Sequence, residues 1–250
     1  MIHVEDLSFS YDKNPYIEKL NLQVKPGFTA LIGPNGSGKT TLLRTMSGML
    51  EGYKGSISMV GKNIRRMSAN ERAKTFAVVN QKQNFTFPFS CLEFVSLGRY
   101  PHRKNMNRLT KEDYEIILES MRSMEVLHFK DKLLNEVSGG EQQRVVLACA
   151  LAQKTKVLLL DEAFSALDIA HKANVVKLLR RRVEEDQLSV VSVMHDLPLA
   201  YRYADRVCVM QKGSLVSHEE PHLAIGKDVM HEVFRVETEI IEGRGLYINI

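Results

Sequence analysis

The spacing of apolar residues changes several times along the chain, and each change marks an element. Residues 2–9 and 20–24 read as strands, with turn chemistry at 12–15 and again at Pro26-Gly27. An apolar run at 28–32 leads through a Gly-rich stretch into a helix-like segment at 40–46. Residues 56–60 and 73–79 are further strand candidates, the second ending at Asn80-Gln81. From 81 to about 101 the chain turns aromatic and polar, with Phe85, Phe87, Phe89, Phe94 and Tyr100. Residues 110–124 predict an amphipathic helix, because Tyr114, Ile117, Leu118 and Met121 recur at i, i+3, i+4 and i+7. Thr110, with Asp113 three residues on, has the pattern of a capping box for it. Residues 147–152 lie in a nearly all-apolar helix, as expected for one buried on most sides.

Residues 157–160 and 190–194 are continuous apolar runs of the kind found in parallel strands covered on both faces. The segment between them, 170–184, is helical, so the three form a βαβ unit. Residues 206–210 and 214–217 flank Gln211-Lys212-Gly213 as a hairpin. The pattern predicts an α/β fold with a strand-rich core from 1–81 and 155–250 and an inserted helical lobe at 82–154.

Composition adds mainly exclusions. At 250 residues the chain is long enough for a substantial core, and its 44% hydrophobic and 26% charged residues are ordinary for a globular protein. Net charge is +4 with Lys and Arg scattered, so no face argues for nucleic acid; Arg180, Arg181 and Arg182 are read as a solvated helix end. No stretch approaches the roughly 20 apolar residues of a membrane span, and the N-terminal residues lack the pattern of a signal peptide. Three dispersed cysteines, Cys91, Cys149 and Cys208, fit a reducing compartment. His218 and His222, beside Glu219 and Glu220, have the residue types of metal ligands, but Pro221 between them favours a polar loop.

Three local motifs carry chemistry. Residues 33–40 read Gly-Pro-Asn-Gly-Ser-Gly-Lys-Thr, matching G-x-x-x-x-G-K-[ST] at every fixed position. Gly33, Gly36 and Gly38 let successive N–H groups face one anion, and a helix start adds its dipole. In this setting Lys39 would reach β- and γ-phosphates, and the Thr40 hydroxyl would ligate Mg²⁺. The plain alternative is a Gly-rich surface turn. Leu158-Leu159-Leu160-Asp161-Glu162 is an apolar strand ending in two acids. Paired with the loop, Asp161 suits a Mg²⁺ ligand and Glu162 a base for water. A strand of this kind is expected beside the phosphate loop. The third motif, Val137-Ser138-Gly139-Gly140-Glu141, is either a helix start capped by Ser138 or a second phosphate-binding turn.

Taken in order, these motifs resemble those of ATP-binding-cassette (ABC) ATPases, and the resemblance spans essentially the whole chain. It implies a phosphate-loop, RecA-like ATPase core with an N-terminal antiparallel β subdomain and an inserted α-helical lobe. It implies that Tyr11 stacks on adenine, that Gly33, Pro34, Asn35, Gly36, Ser37, Gly38, Lys39, Thr40 and Thr41 hold the phosphates, and that Gln81 senses Mg²⁺ and the attacking water. By the same resemblance Ser138, Gly139 and Gly140 grip the γ-phosphate on an opposite subunit. Asp161 holds the metal with Thr40 and Gln81, Glu162 is catalytic, Asp168 crosses the dimer interface, and His195 contacts the γ-phosphate. Two copies would sandwich two ATP molecules, closing on binding and reopening after hydrolysis. Val137 and Glu141 depart from the Leu and Gln usual at those signature positions, and Ala163-Phe164 replaces the common Pro-Thr.

The motif Ser68-x-x-Glu71-Arg72-Ala73-Lys74, the run 76–81 and the run 91–102 resemble the ATPases of iron-chelate (siderophore), haem and cobalamin importers. That resemblance implies a subunit at the cytoplasmic face of the cell membrane, without a span of its own. Its permease partners would dock near Phe85 to His102, and a periplasmic or extracellular substrate-binding protein would act indirectly. Phe85, Phe87, Phe89 and Tyr100 are the expected docking aromatics, or they pack the lobe. An exporter ATPase and a non-transport regulatory ABC protein are the competing readings, and the chain ends too early for the regulatory domain usual in sugar-importer ATPases.

Overall fold

The computed structural model describes residues 1–12, 14–81, 87–103, 108–241 and 245–249. Its centre is a six-stranded sheet built from β3 (Gly27–Ile32), β6 (Phe76–Val79), β7 (Val157–Asp161), β8 (Ser189–Val193), β9 (Arg206–Gln211) and β10 (Ser214–Glu219), in the order β10-β9-β3-β8-β7-β6. Every pair is parallel except the β9–β10 hairpin. A second, antiparallel sheet runs β2-β1-β4-β5, from β1 (Ile2–Phe9), β2 (Ile17–Val24), β4 (Lys54–Met59) and β5 (Lys62–Asn63). A C-terminal hairpin joins β11 (Glu237–Ile241) to β12 (Gly245–Asn249).

The helices are α1 (Lys39–Met46), α2 (Ala69–Thr75), α3 (Cys91–Ser96), α4 (Lys111–Ser123), α5 (Gly139–Ala152), α6 (Ile169–Asp186), α7 (Leu197–Tyr203), α8 (Pro221–Ala224) and α9 (Lys227–Phe234). The continuous apolar runs are explained by two cores, one on each face of the large sheet. Phe28, Ala30 and Ile32 of β3 turn to the side of α5 and α6, together with Leu158, Leu160 and Val190. Leu31, Leu159, Val191 and Val193 turn to the side of α1 and the antiparallel sheet. Alternation thus persists, but both faces are covered, so both sets must be apolar.

Helices α3, α4 and α5 fill the segment between β6 and β7, and their buried residues Val95, Ile117, Met121 and Val145 continue the first core. A Cβ on Gly98 would lie 2.3 Å from the Cys149 carbonyl oxygen, so only glycine lets α5 approach here. Thr110 and Asp113 form the expected capping box on α4. The buried Arg99 guanidinium donates from Nε to Asp113 Oδ1 at 2.8 Å and from Nη1 to the Ala152 carbonyl at 2.9 Å, which ties α4 to α5.

Several sequence expectations are corrected. Residues 73–75 end α2 rather than begin a strand: Ser68 and Glu71 form a capping box, so the helix runs to Thr75 and β6 starts at Phe76. Tyr114 is exposed, and the α4 face that is buried runs through Asp113, Ile117, Ser120 and Met121. Pro221 does not break a helix; it opens α8, where its missing N–H costs nothing, while His218 belongs to β10. Strand β7 does not lie beside β3, because β8 separates them. Arg180 and Arg182 are paired rather than simply solvated, with Asp205 and Asp186 respectively.

Burial pushes the Asp113 carboxyl up, but hydrogen bonds from Arg99 and Thr110 outweigh it and bring the pKa down to about 2. A depressed carboxyl stabilises the fold above its unfolded value near 4 and loses that contribution as pH falls toward 2. Asp113→Asn leaves Arg99 charged and buried, so an unfolding titration at neutral pH is expected to show a loss of about 3–5 kcal/mol. An unchanged midpoint would show that Arg99 is satisfied without the carboxylate.

Candidate functional site

Five chain segments converge at the carboxyl ends of the parallel strands. Ile32 ends β3 and feeds the 33–38 loop, Val79 leads to Gln81, Asp161 ends β7 ahead of Glu162, and Val193 of β8 leads to His195. The turn between β9 and β10 closes over the loop, Gly213 N–H donating to the Ser37 carbonyl at 2.9 Å. In an open parallel sheet this edge is where ligands bind.

The loop is drawn tight around its own cation. Lys39 Nζ donates to the Gly33 and Pro34 carbonyls at 2.8 and 2.9 Å. Burial lowers the Lys39 pKa, opposed by the Glu162 and Asp161 carboxylates. Gly33, at φ 154°, has no room for a Cβ, which would meet the Met210 carbonyl oxygen at 2.2 Å. Gly38 precedes α1 in the left-handed region, and Asn35 and Gly36 are exposed.

Asp161 is fully buried. Its Oδ1 accepts from Thr40 Oγ1 at 2.8 Å, whereas Oδ2 has no hydrogen-bond partner among the described residues and lies 3.9 Å from Arg44 Nε. Burial raises the Asp161 pKa, partly opposed by the Thr40 hydroxyl and Arg44. A hard oxygen pair with one bare buried oxygen fits a small divalent cation.

Glu162 sits at φ 51°, in the left-handed region that a residue with a side chain seldom occupies. Its Oε1 lies 2.8 Å from His195 Nε2, and its Oε2 accepts from Gln81 Nε2 at 2.5 Å. These three residues, far apart in sequence, meet at the Glu162 carboxylate, and Glu162 and His195 line a cleft of about 210 Å³.

Tyr11 is 61% exposed and lies edge-on to Phe9, its hydroxyl 3.1 Å from Thr41 Oγ1. Tyr16 was not marked by any motif, yet its hydroxyl donates to the Gly36 carbonyl at 3.1 Å and its ring meets Tyr11 edge-on at 5.5 Å. The turn chemistry between β1 and β2 was the one available signal for it. Arg44, the cation beside Asp161, is likewise absent from the motif.

The remaining candidates lie apart from this group. Ser138 caps α5 in a capping box with Glu141, and a Cβ on Gly140 would meet the Ala166 carbonyl at 3.2 Å. Asp168 caps α6, accepting from His171 N–H at 2.8 Å. Among the described residues no hydrogen bond or ion pair joins 138–141 to 33–41. Of the aromatic candidates for docking, Phe87 and Tyr100 are exposed, Phe89 is half-buried, and Phe85 lies outside the described residues.

A family model described as ABC transporter matches residues 17–165. The chain belongs to the ABC transporter family. Its RecA-like core, N-terminal β subdomain and helical lobe are those of that family's ATPase domain. The petrobactin import ATP-binding protein FpuC of Bacillus anthracis is 35% identical over 244 residues, covering 97% of this chain and 90% of the relative. The iron(3+)-hydroxamate import ATP-binding protein FhuC of Bacillus subtilis is 34% identical, covering 96% and 90%. Among solved structures, the dimeric ABC transporter cassette MJ0796 superposes with a TM-score of 0.79 at 26% identity, covering 88% of this chain and 99% of that one.

Tyr16→Phe removes the hydroxyl bond to the phosphate loop of this ABC protein and leaves the ring. Half-saturating ATP is expected to rise about two- to five-fold with kcat unchanged, the worth of about 0.5–1 kcal/mol for one hydrogen bond. Unchanged saturation would show that the hydroxyl does not brace the loop.

Proposed function

We propose that the chain binds and hydrolyses ATP to energise an ABC importer for an iron chelate, acting as a pair at the cytoplasmic face of the membrane. The observation that carries the ATPase reading is the convergence of Lys39, Thr40, Asp161, Glu162, Gln81 and His195 at one sheet edge. The importer reading is supported by relatives of nearly equal length named for petrobactin and iron(3+)-hydroxamate import.

In this reading Tyr11 stacks on adenine, while Gly33, Pro34, Asn35, Gly36, Ser37, Gly38 and Thr41 line the phosphates. Lys39 exchanges its two carbonyl partners for β- and γ-phosphate oxygens, a charge-assisted pairing that recovers what the loop gives up. Thr40, Asp161 and Gln81 would hold Mg²⁺, which when bound supplies positive charge at the phosphate oxygens. Glu162 orients and deprotonates the attacking water once His195 and Gln81 turn toward the nucleotide. His195 then donates to the γ-phosphate. The signature residues Ser138, Gly139 and Gly140, with no hydrogen bond or ion pair to their own chain's phosphate loop among the described residues, complete the site of a second copy, and Asp168 lies at that interface. The dimeric state of the related MJ0796 cassette supports this pairing.

No helix among the described residues is long and apolar enough to cross a membrane, so transport would come through permease subunits. Exposed Phe87 and Tyr100 offer them apolar contact.

Glu162→Gln is expected to bind ATP normally, accumulate an ATP-bound dimer on size exclusion, and lose about 10²–10⁴ in turnover. Full turnover in that variant would remove Glu162 from catalysis. The importer reading is tested in proteoliposomes carrying the permease and its binding protein. A ferric hydroxamate is expected to accumulate inside in proportion to ATP consumed; ATP consumption without uptake would favour an exporter, and failure to join any permease a regulatory role.

A further inference from the structure

Two of the donors that the signature turn would offer a phosphate, the Ser138 hydroxyl and N–H, are already in use. Ser138 Oγ donates to Glu141 Oε2 at 2.7 Å, Ser138 N–H donates to the same oxygen at 2.7 Å, and Glu141 N–H reaches back to Ser138 Oγ at 3.4 Å. The hydrogen bonds from Ser138 hold the Glu141 carboxyl below its ordinary pKa, so it stays ionised at neutral pH. A Cβ on Gly139 would meet nothing within 4 Å, whereas one on Gly140 would meet the Ala166 carbonyl. The turn is therefore backed by its own chain on one side and open on the other.

Ser138 has one hydroxyl proton. It cannot serve the Glu141 carboxylate and an incoming phosphate oxygen at once, and the two anions repel each other at this range. We propose that Glu141 is a positioning residue that restrains the signature turn: its carboxylate holds the Ser138 donors in the free subunit, and ATP-driven closure must take them from it. This rests on the reading of residues 138–140 as the γ-phosphate site of a second copy. A neutral amide at position 141 still caps the helix through its carbonyl oxygen but competes less for the hydroxyl, because a hydrogen bond to a charged group is about twice as strong as a neutral one.

The test is ATP-driven dimerisation followed by analytical ultracentrifugation, with Glu162→Gln in every protein so that ATP persists. Glu141→Gln is expected to reach half-maximal dimer at about tenfold lower ATP than its parent, with an unchanged unfolding midpoint. Glu141→Asp is expected to behave like the parent, since Thr110 and Asp113 show that aspartate forms the same box in this chain. Equal or weaker dimerisation of Glu141→Gln overturns the restraint and leaves Glu141 a helix cap. Ser138→Ala separates the two ideas. If it weakens the dimer while Glu141→Gln changes nothing, only the restraint fails; if it leaves the dimer intact, the phosphate reading of the signature fails.

Discussion

The fold is organised around a carboxylate that it does not fully satisfy. Asp161 has no solvent exposure, shares one oxygen with Thr40 and, among the described residues, leaves the other without a hydrogen bond. Burying a charge is costly unless it is paired, and the nearest cations are the Lys39 ammonium and the Arg44 guanidinium. Three elements are committed to holding that arrangement. Strand β7 delivers the carboxylate, α1 supplies Thr40 and Arg44, and β8 lies between β7 and the strand that carries the phosphate loop. The Asp161 oxygen that lies beside Arg44 and the inward-turned Lys39 are two halves of one charge pattern, which a polyphosphate and its cation would complete.

The same logic extends outward from Asp161. Glu162 is held by Gln81 from the end of β6 and by His195 from the end of β8, so the residue best placed to act on water also reports the position of two other segments. Gln81 is the point where the chain leaves β6 for the helical lobe. The segment that leads into the lobe thus starts one hydrogen bond away from the Glu162 carboxylate. Ser138 lies in the same lobe, where α5 begins.

What was legible in the sequence was what is local. The phosphate loop needs glycines and a Lys-Thr pair within eight residues, and β7 writes its two acids directly after an apolar run. The βαβ unit and both cores followed from unbroken apolar stretches. What could not be read was set by tertiary contact. The pairing of Gln81 with Glu162 spans 81 residues. The bond from Tyr16 to Gly36 depends on how the β1–β2 turn lies over the loop. The insertion of β8 between β3 and β7 is a matter of sheet order, which no local pattern encodes. Tyr114 had the right period for a core stripe but stands on its edge, because the buried face of α4 is partly polar and is held by the Arg99–Asp113 pair.

The central claim is that one chain carries two incomplete halves of a site, the phosphate loop with its acids in one place and the signature turn in another. The most direct test is the ATP-hydrolysis rate of the unmodified protein across a range of concentrations that spans monomer and dimer. The account predicts a rate that rises more steeply than protein concentration, because turnover needs two chains. A rate strictly proportional to concentration, over a range in which the protein is monomeric, would contradict it.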